Sequence, residues 1–131
     1  MATGQETVLD DYSFLVSETD AKGTILFANS DFCKIAGYEL DELIGKPHNM
    51  VRHKDMPKKA FKSLWETVQS GNIWTGYVKN ATKDGGFYWV YATVYPFESC
   101  DGGNGFLSCR RKATKEEIAS AEILYKQWNN E

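Results

Sequence analysis

The chain alternates between stretches with a strand-like pattern of hydrophobic residues and stretches with a helical period. Residues 13–19 and 24–29 are rich in strand-forming side chains, and the four residues between them begin with Asp20 and end with Gly23. Such a connection is typical of a β-turn, so the pattern predicts a hairpin. Glycine-rich turns separate three further strand-like segments, which predict a meander over residues 74–83, 86–97 and 104–112.

Helical patterns occupy the remaining parts of the chain. A short helix is predicted after Asn29 or Ser30 as the cap, ending at Gly37, and a further helical turn follows before Gly45. Apolar residues at i, i+3, i+4 and i+7 predict an amphipathic helix over residues 57–69. A capping-box sequence opens a last helix at residues 114–117. Short connections then favour one sheet with the helices over one face, an α+β fold.

The strand over residues 86–97 is apolar on both faces. Trp89 lies on one face with Phe87 and Tyr91, whereas Tyr88 and Val90 belong to the other. Both faces are therefore expected to be covered, and either of them is suited to form one wall of a ligand pocket. Side chains for the opposite wall are predicted to come from Ile35, Leu43 and Met50.

Composition and charge narrow the function classes. The 131 residues carry a formal net charge of −3, which disfavours binding to nucleic acid. Neither a signal peptide nor a membrane-spanning segment is predicted, and three cysteines without CxxC spacing favour a reducing cytoplasm. Cys100 and Cys109 flank a Gly-rich turn, where they form either a regulatory disulfide or a plain pair of small strand residues.

Residues 45–57, GKPHNMVRHKDMP, combine two histidines, an arginine and an aspartate without helical or strand periodicity. We interpret this segment as a lid that faces a ligand. His48, His53 and Asp55 have the composition of a metal site with two histidines and one carboxylate, but their spacing places them on no common face of a regular element. A heme with a histidine or methionine ligand is a further alternative.

Several motifs resemble one known family. TDAKGTILFANSDFCKIAGYELDELIGK is similar to the opening of PAS domains, and GKPHNMVRHKDMPKKAFKSLW, GYVKNATKDGGFYWV and KATKEEIASAEILYK resemble the PAS domains of the bacterial aerotaxis receptor family. The resemblance covers residues 14–127. It implies a five-stranded antiparallel sheet with short helices over one face, and a non-covalently bound FAD that serves as a redox sensor for chemotaxis signalling.

The resemblance also implies roles for individual residues in flavin binding or signalling. The matching positions are Asn29, His48, Arg52, His53, Asp55, Trp65 and Asn80. It further implies a HAMP or chemoreceptor signalling module as partner, in the same chain or in a separate one, and is compatible with a homodimer. A cytoplasmic location is expected, held near the inner membrane through a partner or a further C-terminal region.

The chemistry of the side chains agrees with these roles and leaves alternatives open. Asn80 shares a strand face with apolar and small residues, where an amide needs a partner such as a flavin edge. Arg52 suits a pyrophosphate or the negative charge at N1 of a reduced flavin. Trp65 either stacks on an adenine or packs in the core. His48 either contacts the cofactor or caps a carbonyl, and Asp55 is better suited to cap a helix.

The remaining expectations concern function as a whole. Residues 1–12 are predicted to form a cap or a disordered lead, residues 13–113 the sensor, and residues 114–131 a helix leading to the signalling module. No catalytic motif is present in the sequence, so an enzyme is not expected. Asn49 and Met50 stand where light-sensing relatives need a reactive cysteine. The alternatives to a flavin sensor are a ligand-free PAS dimerisation module and a heme-based gas sensor.

Overall fold

Five antiparallel strands form a single sheet in the computed structural model, which describes residues 5–98 and 104–130. The strands are β1 (Phe14–Asp20), β2 (Ile25–Ala28), β3 (Trp74–Ala81), β4 (Phe87–Glu98) and β5 (Asn104–Lys112). Their order across the sheet is β2-β1-β5-β4-β3, so the N-terminal hairpin joins the C-terminal meander through β1 and β5. The predicted α+β fold with a five-stranded antiparallel sheet is confirmed.

The α-helices agree with the predicted segments except near their ends, whereas a 3₁₀ helix lies within residues 45–57, where no helix is predicted. The helices are α1 (Ser30–Ala36), α2 (Leu40–Leu43), a 3₁₀ helix (His48–Val51), α3 (Lys58–Gln69) and α4 (Lys115–Asn129). Pro57 is the N-cap of α3 and not part of its first turn. The capping box of α4 forms as predicted, since the Thr114 side chain accepts a hydrogen bond from the Glu117 amide and the Glu117 carboxylate accepts one from the Thr114 amide.

The two faces of β4 have different coverings. Tyr88, Val90 and Ala92 point to the side of the sheet that α1 to α3 cover, which is called the inner face from here on. Trp89 points to the outer face, where its ring stacks on Tyr125 of α4 with centroids 6.2 Å apart. Both faces are covered at this strand, as the sequence predicts. The expectation that all helices lie over one face is wrong for α4, which packs on the outer face. The aromatic residues of β3 and β4 on that face give α4 a surface on which to bury its apolar side chains.

The apolar core lies between the inner face of the sheet and the short helices. Leu15, Ile25, Phe32, Leu43 and Val90 are fully buried there. Gly37 ends α1 with φ +85°, a left-handed conformation that glycine adopts without steric cost. Beyond this core, inward-facing residues of β1, β3, β4 and β5 form the floor of a cavity.

Residues before β1 also pack on the domain. The amide of Thr7 donates to the carbonyl of Phe87, the amide of Phe87 donates to the carbonyl of Gln5, and Leu9 is buried. Residues 5–7 thus pair with the start of β4. Whether Cys100 and Cys109 form a disulfide or a plain pair of strand residues is not tested, because Cys100 lies outside the described residues.

Candidate functional site

A cavity of about 320 Å³ opens between the inner face of the sheet and α3. Its floor comes from alternate residues of four strands, which all point inward because side chains in a strand alternate between faces. Residues of the 3₁₀ helix and α3 form the opposite wall. The lining residues are Ser17, Thr19, Lys22, Gly23, Pro47, His48, Asn49, Arg52, Phe61, Leu64, Trp65, Val78, Asn80, Ala92, Val94, Phe106, Ser108 and Arg110.

Three polar side chains form a connected cluster at the floor of this cavity. Nη1 of Arg110 donates to Oγ of Ser17 at 3.0 Å, and Nη2 of Arg110 lies 2.9 Å from Nε2 of His48. Ser17 Oγ is 3.1 Å from the same His48 nitrogen. Since a guanidinium only donates, Nε2 must accept, and the imidazole is held neutral with its proton on Nδ1.

Burial and charge reinforce this arrangement. Arg110 is 5% exposed, and burial lowers its pKa to about 10. Burial of the His48 ring, together with the positive charge of Arg110, lowers the pKa of His48 to about 3. The ring of Phe32 lies 5.2 Å from the guanidinium and 5.9 Å from the imidazole. None of the ion pairs among the described residues includes Arg110.

Two further polar groups face the same space. Oγ of Ser108 is buried and has no hydrogen-bond partner. The side-chain amide of Asn80 is 3% exposed and donates to the hydroxyl of Tyr88 over a long 3.4 Å. Buried polar groups are normally paired, so an unpaired hydroxyl at a cavity wall indicates a ligand or a water.

The mouth of the cavity carries positive charge and aromatic rings. The guanidinium of Arg52 lies 3.7 Å above the ring of Phe61, and the backbone of Arg52 forms a bridge with Asn80. Lys22 also lines the cavity. Trp65 meets Phe106 edge-on, with ring centroids 5.1 Å apart. Arg52 and Lys22 are both exposed, so the two charges can meet an anionic group at the edge of solvent.

Four of the residues predicted as flavin contacts line the cavity together. They are His48, Arg52, Trp65 and Asn80. Residues 47–49 and 52 form part of the wall, so the segment interpreted as a lid does border the cavity along part of its length. Four other residues predicted for flavin binding or signalling do not reach the cavity, and each has a structural reason.

Asn29 is fully engaged in holding α1 to β1. Its Oδ1 accepts from the amides of Phe32 and Val16, at 3.0 and 3.1 Å, and its Nδ2 donates to the carbonyl of Phe14 at 2.8 Å. The side chain is the N-cap of α1. The assignment of Asn29 to cofactor binding is therefore corrected to a structural role, since its polar atoms already have partners.

His53 and Asp55 lie outside the cavity, against β3. Oδ2 of Asp55 forms an ion pair with Nζ of Lys79 at 2.9 Å and lies 3.6 Å from Nδ1 of His53. Burial and the charge of Lys79 lower the pKa of His53. The cofactor role of His53 is thus corrected, because Arg52 is extended and paired with Asn80, and successive side chains of an extended chain point to opposite sides. The expectation that Asp55 caps α3 is also wrong, since Pro57 occupies that position.

Trp89, a further residue that the sequence assigns to the cofactor, lies on the outer face beneath α4. Its burial comes from Tyr125 and not from a ligand. The predicted opposite wall of Ile35, Leu43 and Met50 is wrong as well, because α3 and residues 48–49 of the 3₁₀ helix supply that wall. The space over Gly76 is filled by the indole of Trp74, from which a Cβ at this position would be only 2.5 Å away.

Arg110 is the principal site residue that the sequence-based prediction missed. It belongs to a run of three cationic residues, Arg110 to Lys112, which has the appearance of a solvated surface. Strand alternation separates the two faces of β5, but it does not show which of them is the inner one. Phe106, Ser108 and Arg110 share one face, and their partners across β4 include Val94 and Ala92. Arg111 points outward and pairs with Glu117 at 3.7 Å.

Metal and thiol chemistry have no support in the described part of the chain. No group of three or more His, Cys, Asp or Glu residues is arranged to hold a metal there. Cys33 and Cys109, the cysteines within the described ranges, do not line the cavity. No helix within residues 5–98 and 104–130 has the length and apolar character needed to cross a membrane.

The fold agrees with comparisons to known proteins. The sequence model of the family described as "PAS fold" matches residues 25–109, more than half of the chain. The chain therefore belongs to the PAS family. A solved light-oxygen-voltage domain from work on a flavin analogue superposes with a TM-score of 0.71 at 21% identity, covering 89% of this chain and 88% of that one.

Individual relatives are similar over most of the chain. It is 48% identical over 127 residues to the aerotaxis receptor of Escherichia coli (strain K12), which covers 97% of this chain and 25% of the receptor. It is 31% identical over 93 residues to the biofilm dispersion protein BdlA of Pseudomonas aeruginosa, covering 70% of this chain and 22% of that protein. The chain thus spans about a quarter of the length of these relatives or less.

Proposed function

We propose that this PAS domain binds FAD without a covalent bond and serves as a redox sensor in chemotaxis signalling of the aerotaxis type. The observation that carries the proposal is a single cavity that combines apolar walls, a buried guanidinium and an unpartnered hydroxyl. Similarity to the aerotaxis receptor over nearly the whole chain supports the signalling context.

The cavity has the chemical features that a flavin requires. A flavin needs an apolar slot for its rings, polar groups for its pyrimidine edge and cations for its phosphates. Val78, Ala92, Val94 and Leu64 supply apolar surface. The cavity lies near the lower end of the volumes of ligand pockets, roughly 300–1,000 Å³. It is therefore suited to the ring end of the cofactor, with the remainder of FAD at the mouth.

The polar residues of the cavity divide into two groups with different roles toward a flavin. Asn80, Ser108 and Arg110 are buried at the floor and would contact the polar edge of the rings. Arg52 and Lys22 are exposed at the mouth and would bind the phosphates, and Trp65 would stack on the adenine. Bound FAD would supply reversible electron uptake, which no side chain of the cavity provides.

The sheet offers a direct route from the cavity to α4. Val78 and Asn80 line the cavity on the inner face of β3. On the outer face, Tyr77 contacts Glu117 of α4, and Trp89, the β4 partner of Lys79, stacks on Tyr125. The hydroxyl of Tyr125 donates to the carbonyl of Tyr77 at 2.5 Å. In our proposal, α4 transmits the conformational change that follows flavin reduction to a signalling module, in the same chain or in a separate one.

We propose a sensory role and not a catalytic one. Ser17 and His48 lie within hydrogen-bond distance, as a nucleophile and its base would. However, Arg110 donates to the nitrogen that would have to accept the serine proton, and the lowered pKa of His48 makes the imidazole a weak base. A heme ligand is disfavoured for the same reason, because Nε2 of His48 is already engaged.

The absorption spectrum of the purified protein tests the proposal. Flavin bands in the blue and near-ultraviolet that bleach with dithionite are expected, and chromatography of the heat-released cofactor should identify FAD and not FMN. A Soret band would instead identify a heme protein. A protein that stays colourless after incubation with FAD would identify a ligand-free PAS module, and either of these two results would overturn the proposal.

A further inference from the structure

Arg110 is a buried cation whose neighbours do not neutralise it. Its guanidinium contacts a hydroxyl, a neutral imidazole and an aromatic ring, and no carboxylate pairs with it in the described ranges. Burial of an unpaired charge is costly, and such groups are normally paired or bind an ion. An anionic group of the ligand is therefore the missing partner.

The position of Arg110 in the sheet fixes where that anionic group would lie. Arg110 and Ser108 are two residues apart on the inner face of β5, and Oγ of Ser108 has no partner. Ser17 and His48 hold the guanidinium from the side of β1 and the 3₁₀ helix. A guanidinium has five N–H donors, so donors remain for a ligand after these two contacts.

The charge of a flavin depends on its redox state. Two electrons from a reduced electron carrier and one proton at N5 convert the neutral oxidised ring into an anion, whose charge lies at the N1–C2=O edge. Positive charge near N1 is one of the means by which a protein tunes a flavin. A fixed cation at this edge therefore interacts more strongly with the reduced ring than with the oxidised one.

Building on the proposed function, we infer that Arg110, together with Ser108, is the charge partner of the reduced flavin and makes the cavity bind reduced FAD in preference to oxidised FAD. This role differs from that of Arg52. Arg52 is exposed at the mouth, where it can meet the phosphates. The phosphates carry the same charge in both redox states, so Arg52 contributes equally to both.

The inference is tested by titrating apoprotein with oxidised FAD and, anaerobically, with dithionite-reduced FAD at a mildly alkaline pH. The ratio of the two dissociation constants is the readout, because it is insensitive to a uniform loss of affinity. Arg110→Gln should raise the ratio of reduced to oxidised dissociation constants by about tenfold or more, since one charged hydrogen bond contributes about 1.5–3 kcal/mol. Arg110→Lys should restore most of the preference.

Two matched variants give the controls. Arg52→Ala should weaken both redox forms to a similar extent, and Arg111→Gln, the next residue on the outer face, should leave both constants nearly unchanged. If Arg110→Gln weakens both forms equally, or neither, the inference is overturned while the flavin proposal stands. If the unsubstituted protein binds neither form of FAD, both are overturned.

Discussion

The Nη2 atom of Arg110 lies 2.9 Å from Nε2 of His48, at the floor of the cavity of this PAS domain. A cationic donor thus faces the nitrogen by which a histidine would gain its second proton, so the imidazole is neutral at ordinary pH. Protonation of His48 would place a second positive charge beside Arg110. The roles of both residues can therefore be tested by measuring the stability of the ligand-free protein.

The pH dependence of stability should report the lowered pKa of His48. The pKa of this residue is about 3 in the folded protein, against 6.5 for an unperturbed histidine, so at acidic pH the unfolded chain binds a proton that the folded one does not. Stability is therefore lost as the pH falls below 6.5. The slope from one such group approaches about 1.4 kcal/mol per pH unit. Urea unfolding at several pH values should show a shallower slope for His48→Gln. Equal slopes would contradict the contact.

Removal of the buried charge should stabilise the ligand-free protein. Arg110→Met replaces an unpaired guanidinium, which is 5% exposed, with an apolar chain of similar length. We expect the free energy of unfolding to rise by about 1 kcal/mol or more, because the cost of burying the charge is removed. Arg111→Met is the control on the outer face, where loss of its partly exposed ion pair should lower stability by less than about 1 kcal/mol. A less stable Arg110→Met variant would show that the charge has a partner in the folded chain.

Part of the site could be predicted from residue types and periodicity. Asn80 is predictable because an amide on an otherwise apolar strand face needs a partner, and Arg52 because it lies in an irregular cationic segment. Trp89 and Arg110 could not be assigned in the same way. β4 is apolar on both faces, so alternation separates Trp89 from Ala92 without showing which face is inner. Only the packing of α4 on the outer face decides this.

Asn80→Ala and Arg52→Ala should each lower the amount of flavin that the purified protein retains. Asn80→Ala removes a buried amide that would face the flavin rings, and FAD binding should weaken by about 1 kcal/mol or more. Arg52→Ala removes a contact with the phosphates at the mouth of the cavity. Far-ultraviolet circular dichroism should stay unchanged in both variants. Unaltered flavin content in both would remove these residues from the binding site.

Trp89→Leu should leave FAD binding nearly intact while loosening α4. The substitution removes the stacked pair with Tyr125, and such pairs contribute about 0.5–1.5 kcal/mol beyond their buried area. Amide hydrogen exchange should therefore become faster in residues 115–129. A fall in FAD affinity of about tenfold or more, without a comparable loss of folded protein, would show that Trp89 takes part in cofactor binding and would contradict its structural role.

The location of the ligand can be tested with two substitutions on one strand. Ala92 lines the cavity, whereas Thr93 points to the outer face. Phenylalanine at position 92 would occupy space that the proposed ring needs, and at position 93 it would not. Thermal unfolding of the ligand-free variants provides the check that both remain folded.

The most direct measurement is the dissociation constant of FAD for the unsubstituted protein, Ala92→Phe and Thr93→Phe, obtained from the quenching of flavin fluorescence. We predict tight binding to the unsubstituted protein and to Thr93→Phe, and binding weaker by about a hundredfold or more for Ala92→Phe, equivalent to the loss of about 2.7 kcal/mol. Equal affinity of all three proteins for FAD would show that the flavin does not enter the cavity and would contradict the account.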